Sequence, residues 1–367
     1  MKRSFIREIL ESITPNTISF AGGLPDESLF PSQDLRRSAD RILNDPSTLQ
    51  YSTSSGIPAL RQQIADYYSQ QGFETHADNI LITSGSQQAL DLLSRHYCEQ
   101  SITIESPSYL GAMGIFSINH LQTDAITLAD NGIMIDPFFK SLQRTRLAYL
   151  IPDYQNPTGQ TYSLEKRKTI ASNLKQHDAI LIEDAPYSDL YFDERQPPIS
   201  TMVPDRSYHL GSFSKTLAPA LRIGWIRASE ELLHPLILYK EAMDLHTNSL
   251  TQYILHDYLH NQNQYTHHLE RLRKHYAKKM KLFSKVLQTY LPTFLFEEPK
   301  GGMFIYGKLP GIATTQLLQK TAARGVVFVP GNEFYQGGEG LNEIRFNFTH
   351  PSIDSMEKGI KTVAECL

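Results

Sequence analysis

Leu-Gly-Ser-Phe-Ser-Lys-Thr-Leu-Ala-Pro-Ala-Leu-Arg-Ile-Gly-Trp, residues 210–225, decides how the rest of this chain is read. Lys215 follows a short strand-like run, stands among hydroxyls at Ser212, Ser214 and Thr216, and has Arg222 seven residues on. A lysine set among phosphate-sized donors is an amine able to attack a carbonyl while its neighbours grip an anion. A Schiff-base lysine for pyridoxal 5′-phosphate needs that arrangement. The plain alternative is a surface lysine in a Ser-rich loop, which fits most isolated Ser-Lys pairs. Motifs upstream supply the remaining parts of a cofactor site and favour the first reading.

Those motifs lie in a strand–helix alternation that begins near residue 79. Short apolar runs at 79–83, 101–105, 124–128, 147–152, 179–183, 208–212 and 223–227 have strand length. Helical patterns such as 87–97 and 164–177 separate several of them. Such alternation predicts an α/β fold, a mostly parallel sheet wrapped by helices. Upstream, a short strand at 18–21 ends in Gly22-Gly23-Leu24-Pro25-Asp26, and Gly56-Ile57-Pro58 opens a helix. Beyond residue 230 the pattern changes to two long helices, 230–259 and 264–291. A smaller α+β region follows, with strands at 303–307, 326–329 and 343–348, a helix at 314–324 and a terminal helix. The expected division is a large domain over 48–258 and a small domain made of 1–47 and 259–367.

Ligands in open α/β sheets gather at the carboxyl ends of strands, and four motifs fall there. Thr83-Ser84-Gly85-Ser86-Gln87 joins a strand to a helix, so Gly85 admits close approach while Ser86 and Gln87 offer N–H groups to a phosphate. A plain N-cap explains it equally well. Tyr154-Gln155-Asn156-Pro157-Thr158-Gly159 reads as a turn that also presents the Asn156 amide to a phenolate or carboxylate. Glu183-Asp184-Ala185-Pro186-Tyr187 ends a buried strand, where a carboxylate is costly without a partner. Asp184 against a pyridine nitrogen keeps that nitrogen protonated and the ring an electron sink; a helix cap is the alternative. Tyr109, in Pro107-Ser108-Tyr109, has a ring that stacks on a flat ligand or packs in the core.

Composition sets outer bounds. The 367 residues carry a net charge of −4, 40% hydrophobic and 20% charged residues, so no basic field favours nucleic acid or an acidic membrane. Cys98 and Cys366 are too few for a disulfide framework, which fits a cytoplasmic protein. Arg7 and Glu8 interrupt the apolar run after the basic start, favouring an amphipathic helix over an export signal. No apolar stretch approaches the ~20 residues that span a bilayer. His256 and His260 have zinc-site spacing, but with 13 histidines in the chain such pairs arise by chance, and a solvated helix face is expected. No metal is expected. The Gly pairs at 301–302 and 337–338 match neither a dinucleotide fingerprint nor a phosphate loop.

With these residues assembled, the chain resembles the fold-type I aminotransferases, above all the branch of 2-aminoadipate and kynurenine aminotransferases and the catalytic-like domains of MocR regulators. The likeness runs from Ser19-Phe20-Ala21-Gly22-Gly23-Leu24-Pro25 to Arg345-Phe346-Asn347-Phe348. Ser-Phe-Ser-Lys-Thr-Leu-Ala-Pro with Arg-Ile-Gly-Trp is specific to the branch, and Asn-Pro-Thr-Gly and Glu-Asp-x-x-Tyr to the superfamily. The resemblance implies that Lys215 forms the Schiff base and then shuttles a proton. It implies Asp184 at the pyridinium, Tyr187 and Asn156 at the ring hydroxyl, and Tyr109 stacked on the ring. Ser86, Gln87, Ser212, Ser214 and Arg222 would hold the phosphate. Arg345 would take the substrate α-carboxylate, helped by Asn156 and the backbone of Gly23. Tyr51 matches a tyrosine that reaches the neighbouring subunit's phosphate, implying a homodimer with shared sites. The 4–10 segment resembles a helix lying over the substrate, where Arg7 would be a second cation or merely a solvated residue.

The implied activity is transfer of an amino group between an L-amino acid and a 2-oxo acid by ping-pong half-reactions. β-Elimination or decarboxylation with the same cofactor is the alternative enzyme reading, since fold does not dictate reaction. A silent ligand-sensing module related to the regulators is the non-enzymatic one. The acidic charge speaks against it, and some twenty residues before Ala21 leave no room for a winged helix.

Overall fold

The computed structural model describes Thr14 and residues 16–367, so Arg7 and its expected helix lie outside the described residues. Strand β1 (Ile18–Ser19) leads into the turn at Gly22 and Gly23. Eight strands then form the main sheet: β2 (Ile80–Thr83), β3 (Ser101–Ser106), β4 (Gln122–Ala129), β5 (Gly132–Ile133), β6 (Leu147–Leu150), β7 (Ile180–Asp184), β8 (Ser207–Ser212) and β9 (Gly224–Arg227). Their order is β2-β9-β8-β7-β6-β3-β4-β5. β3, β4, β6, β7 and β8 pair in parallel, and β9 runs against both of its neighbours, β2 and β8. The sheet is therefore mostly parallel, as the alternation predicts.

Both faces of this sheet are buried, which is why its strands read as continuous apolar runs. Along β6, Leu147 and Tyr149 join the larger core cluster while Ala148 and Leu150 join a second one. The same alternation in β7 sends Ile182 to the first face and Leu181 to the second. Asp184, two residues beyond Ile182, keeps to the Tyr149 face, and Glu183 takes the other. Burying a Leu or Ile here contributes about 1.5–3 kcal/mol each, so register is strongly specified.

A second sheet has the order β10 (Leu295–Phe296), β11 (Phe304–Lys308), β14 (Glu343–Asn347), β13 (Val329–Pro330), all antiparallel. β12 (Val326–Val327) pairs instead with β1, Ile18 opposite Val326 and Ser19 opposite Val327. The single strand expected at 326–329 is thus divided between two sheets. This pairing ties the N-terminal segment to the smaller C-terminal region. Among the described residues no helix is long and apolar enough to cross a membrane.

The helix expected over 230–259 is two helices, Glu230–Asp244 and Ser249–Leu259. Leu245 has φ +63°, a left-handed conformation that ends the first helix, and Asn248 caps the second through Thr251 N–H. Tertiary contacts decide the break. Thr247 donates to Ile82 O, and Ser52 N–H donates to His246 Nε2 at 3.3 Å. His256 is half-buried rather than solvated, and Asp257 beside it is bound by Arg41.

The loop after β6 is clamped from below. Arg167, fully buried on helix Leu164–Gln176, donates to Tyr162 O at 3.0 Å and Pro152 O at 2.9 Å, and pairs with Asp153 at 2.5 Å. Removing one member of a buried pair strands the other charge. Arg167→Ala is therefore expected to lower unfolding free energy by about 3–5 kcal/mol, read as an earlier urea midpoint.

Candidate active site

Because β2, β3, β6, β7 and β8 point the same way, Ser86, Tyr109, Asn156, Asp184 and Lys215 leave the sheet along one edge. β9, running the other way, starts at this edge, with Gly224 opposite both Thr83 and Ser212. Arg222, just before it, is brought back over the β2 loop by a left-handed backbone, φ +51°.

Lys215 donates from Nζ to Gly23 O at 2.8 Å, so the N-terminal turn and the sheet edge meet at the amine. A Cβ at Gly23 would lie 3.7 Å from that Nζ and 3.3 Å from Phe304 Cζ. Burial lowers the Lys215 pKa to about 8, the nearby Arg345 and Arg222 charges add to the fall, and Asp184 opposes it. The ammonium loses its proton within reach of neutral pH.

Asp184 is 2% exposed, and its Oδ2 accepts from Tyr149 O–H at 2.8 Å. Its Oδ1 is buried with no hydrogen-bond partner among the described residues. Burial pushes its pKa up to about 6, against the pull of Tyr149 and of Lys215. Glu183 has a different task on the opposite face. It accepts from Ile199 N–H, Ser200 N–H and Ser200 O–H, capping a short 3-10 turn. The capping contacts thus fall to Glu183, while Asp184 makes none among the described residues.

Asn156 donates to Tyr187 Oη at 3.4 Å and accepts from Arg345 Nη1 at 2.7 Å. Tyr187 is buried and its phenol is held well above its usual pKa by desolvation, so it is a neutral donor. Arg345 is 1% exposed, stacks 4.2 Å over the Phe304 ring, and donates from Nη2 to Ala21 O. Burial lowers its pKa to about 10, yet it stays cationic near neutrality. Its Nε–H is another buried donor with no partner among the described residues.

At the head of helix Ser86–His96, Gly85 has φ +78°, and a Cβ there would lie 2.7 Å from Arg222 Nη2. Glycine opens the space between the helix N-terminus and the guanidinium. Arg222 Nη2 donates to Ser84 O at 3.0 Å, and the buried Ser86 Oγ has no partner among the described residues. Ser212 Oγ instead accepts from Ser214 N–H at 3.1 Å, shaping the turn ahead of Lys215. Gln87 is exposed on the helix, and Tyr109 is half-buried, its ring lying where a Cβ on Gly111 would collide. Tyr51 is 79% exposed, its ring set edge-on to His246.

Sequence reasoning did not single out Tyr149, Phe304 or Asn347. Asn347 donates to Gly22 O at 2.7 Å and Leu24 O at 3.2 Å, fixing the turn that presents Gly23 O to Lys215. A polar residue between Phe346 and Phe348 is the available signal for Asn347. Tyr149 and Phe304 read as core, because only their neighbours distinguish them.

The pocket fits pyridoxal 5′-phosphate by the polar groups it leaves unused among the described residues. An unpartnered carboxylate oxygen suits a pyridinium, a cradle at a helix N-terminus beside an arginine suits a phosphate dianion, and a lysine of lowered pKa suits an aldehyde.

Residues 16–363 match the sequence profile of the family described as aminotransferase class I and II. The chain is 34% identical to aromatic-amino-acid aminotransferase 1 of Thermococcus litoralis, over 100% of this chain and 92% of that one. It is 33% identical to 2-aminoadipate transaminase of Thermus thermophilus, covering 100% and 94% of the two chains. The crystal structure of alpha-aminoadipate aminotransferase from Thermus thermophilus, complexed with N-(5′-phosphopyridoxyl)-L-leucine, superposes with a TM-score of 0.93 at 32% identity, covering 100% of this chain and 95% of that one. The edge where these strands end, and the chain that builds it, belong to the class I and II aminotransferases.

Proposed function

We propose that this chain is a pyridoxal 5′-phosphate-dependent transaminase that moves an amino group between an L-amino acid and a 2-oxo acid. The observation that carries the reading is one pocket holding a near-neutral lysine, a buried carboxylate with a bare oxygen, and a buried arginine. Bound at this edge, the cofactor supplies an electron sink for the charge left when a substrate Cα loses its proton. Lys215 Nζ anchors it and then holds and returns that proton, which requires the amine to be unprotonated. Asp184 Oδ1 pairs with the pyridinium, a cation that offsets the cost of burying the carboxylate. Tyr187 Oη and Asn156 Nδ2 donate to the ring oxygen, and Tyr109 orients the ring face. Ser86, Gln87, Ser212, Ser214 and Arg222 would hold the cofactor phosphate. Arg345 binds the substrate carboxylate with its remaining donors, and Asn156, already on its Nη1, sets their direction. Arg345 favours transamination over decarboxylation, because it holds the carboxylate that a decarboxylase must release, and the likeness to aminotransferases favours it over elimination.

The division into domains over 48–258 and over 1–47 with 259–367 is proposed on the two sheets and on the β1–β12 pairing. A homodimer is proposed on the exposure of Tyr51 at 79% and of Leu49, Leu238, Tyr239 and Leu245. The unpaired Cys98 and Cys366 support a reducing, cytoplasmic setting.

Borohydride should fix the cofactor on Lys215, and Lys215→Ala should lose nearly all turnover while retaining cofactor; near-normal activity sinks the assignment. Since Lys215 is cationic below about 8 and neutral above it, capture of pyridoxal phosphate by the cofactor-free protein should accelerate as pH rises through about 8. Tyr51→Phe should weaken cofactor retention about fivefold, the loss of one hydrogen bond of ~1 kcal/mol, in a protein that sediments as a dimer. A fully active monomer refutes the shared site. Arg7, if it reads a distal carboxylate, should give Arg7→Ala a ten- to hundredfold larger loss of kcat/KM on 2-aminoadipate than on an aromatic amino acid, as charged hydrogen bonds of ~1.5–3 kcal/mol imply. An equal change shows that it does not.

A further inference from the structure

Glu105 ends β3 with no exposed surface and no arginine or lysine paired with it among the described residues. What surrounds it is a set of donors. Oε1 accepts from Tyr162 O–H at 2.7 Å and from Ile151 N–H at 3.1 Å; Oε2 accepts from Gln155 Nε2 at 3.0 Å. Gln155 is itself fully buried and uses the whole of its amide. Nε2 donates a second time, to Pro107 O at 2.9 Å, while Oε1 accepts from Thr158 N–H at 2.9 Å and Thr158 O–H at 2.8 Å. One end of this amide thus grips the loop that carries Tyr109, and the other grips the turn that carries Asn156.

We propose that Glu105 is a positioning residue whose carboxylate orients the Gln155 amide and so holds the Tyr109 loop and the Asn156 turn in the arrangement the site uses. The proposal rests on the reading of Tyr109 and Asn156 as cofactor contacts. The physics is that of an acceptor-only group. A rotated Gln155 would aim its carbonyl oxygen at the carboxylate and lose both Pro107 and Thr158. Ionised Glu105 forbids that rotation. A protonated or amidated residue 105 places a donor against Gln155 and permits it, leaving both loops without their shared partner.

The charge state also has a natural range. Burial raises the Glu105 pKa to about 7, the Tyr162, Gln155 and Ile151 hydrogen bonds lower it, and Asp184 raises it further. Tyr149 on β6 and Tyr162 in the following loop are pushed far above neutrality and stay uncharged. Arg167, beneath Tyr162, is paired with Asp153, and Asp124 on the adjacent β4 is bound by Arg144 and Ser141. Glu105 is therefore ionised above about 7 and neutral below it, with Asp184 at about 6 and, beyond it, Lys215 at about 8 also changing charge near this range.

The test is Glu105→Gln, which keeps the shape and an acceptor for Tyr162 and Ile151 but turns an amide N–H toward Gln155. In cofactor-free protein, hydrogen exchange at the Thr158 and Gly159 amides should rise at least about tenfold while the β7 amides keep their protection. In the loaded enzyme the visible circular dichroism of the cofactor should weaken, and kcat should fall on the order of ten- to a hundredfold, as a misplacement of about 1 Å entails. Unchanged exchange and dichroism, or a rise in exchange spread equally over β7, overturns the proposal. Loosened loops with wild-type kcat and dichroism would uphold the clamp and refute the roles given to Tyr109 and Asn156. If Glu105→Gln fails to fold, the wild-type protein decides. After correction for intrinsic rates, protection at Thr158 and Gly159 should be lost as pH falls through about 7, and a flat profile overturns the proposal.

Discussion

The guanidinium of Arg345 is the junction on which the site depends. It lies on the small sheet, touches Asn156 from the large sheet and Ala21 from the N-terminal segment, and stacks on Phe304. A fully buried cation is tolerable only when acceptors and ring faces replace its water. Those replacements come from three distant stretches of chain, so the charge can be buried only when all three are in place. Seating this guanidinium therefore requires the small region to be packed on the large one.

Around that junction the pocket is short of compensating partners. Burial pushes Asp184 up and Lys215 down, each toward its neutral form, and lowers Arg345 without neutralising it. Asp184 Oδ1, Ser86 Oγ and Arg345 Nε, which have no partner among the described residues, face the same deficit. A ligand carrying a cationic ring nitrogen, an aldehyde and a phosphate relieves most of it at once. Perturbed groups clustered in this way are a signature of active sites.

Much of this is legible in the order of the residues. The apolar runs from 79 to 227 reveal the sheet, because strands covered on both faces leave no polar alternation. Ser86, Asn156, Lys215 and the adjacent carboxylates Glu183 and Asp184 are legible as candidates because chemistry at strand ends needs unusual residues in places where core residues are the rule. Tyr149 and Glu105 are not. A tyrosine inside a strand is indistinguishable from packing, and a glutamate closing the run at 101–105 says nothing of its donors until the fold brings them to it. The helix expected over 230–259 fails for a related reason. Leu245 has no preference for a left-handed conformation, and only Ile82 and Ser52, more than a hundred and sixty positions away, draw Thr247 and His246 out of helical register.

Periodicity and local turn chemistry, which are written in neighbouring positions, are enough to give the fold class and to point to Lys215 and the other candidate residues of the site. Packing across the whole chain settles which of two adjacent carboxylates faces the site, where Arg345 is seated, and how far each pKa moves. Those properties depend on desolvation and on partners brought from remote parts of the chain. Asp184 and Glu183 differ by one position and stand on opposite faces of the same strand; one is left with a bare oxygen and the other is saturated with donors. Local sequence assigns both to the end of a buried strand, and only the packed sheet supplies the donors that make Glu183 a cap and the Tyr149 neighbour that leaves Asp184 half satisfied.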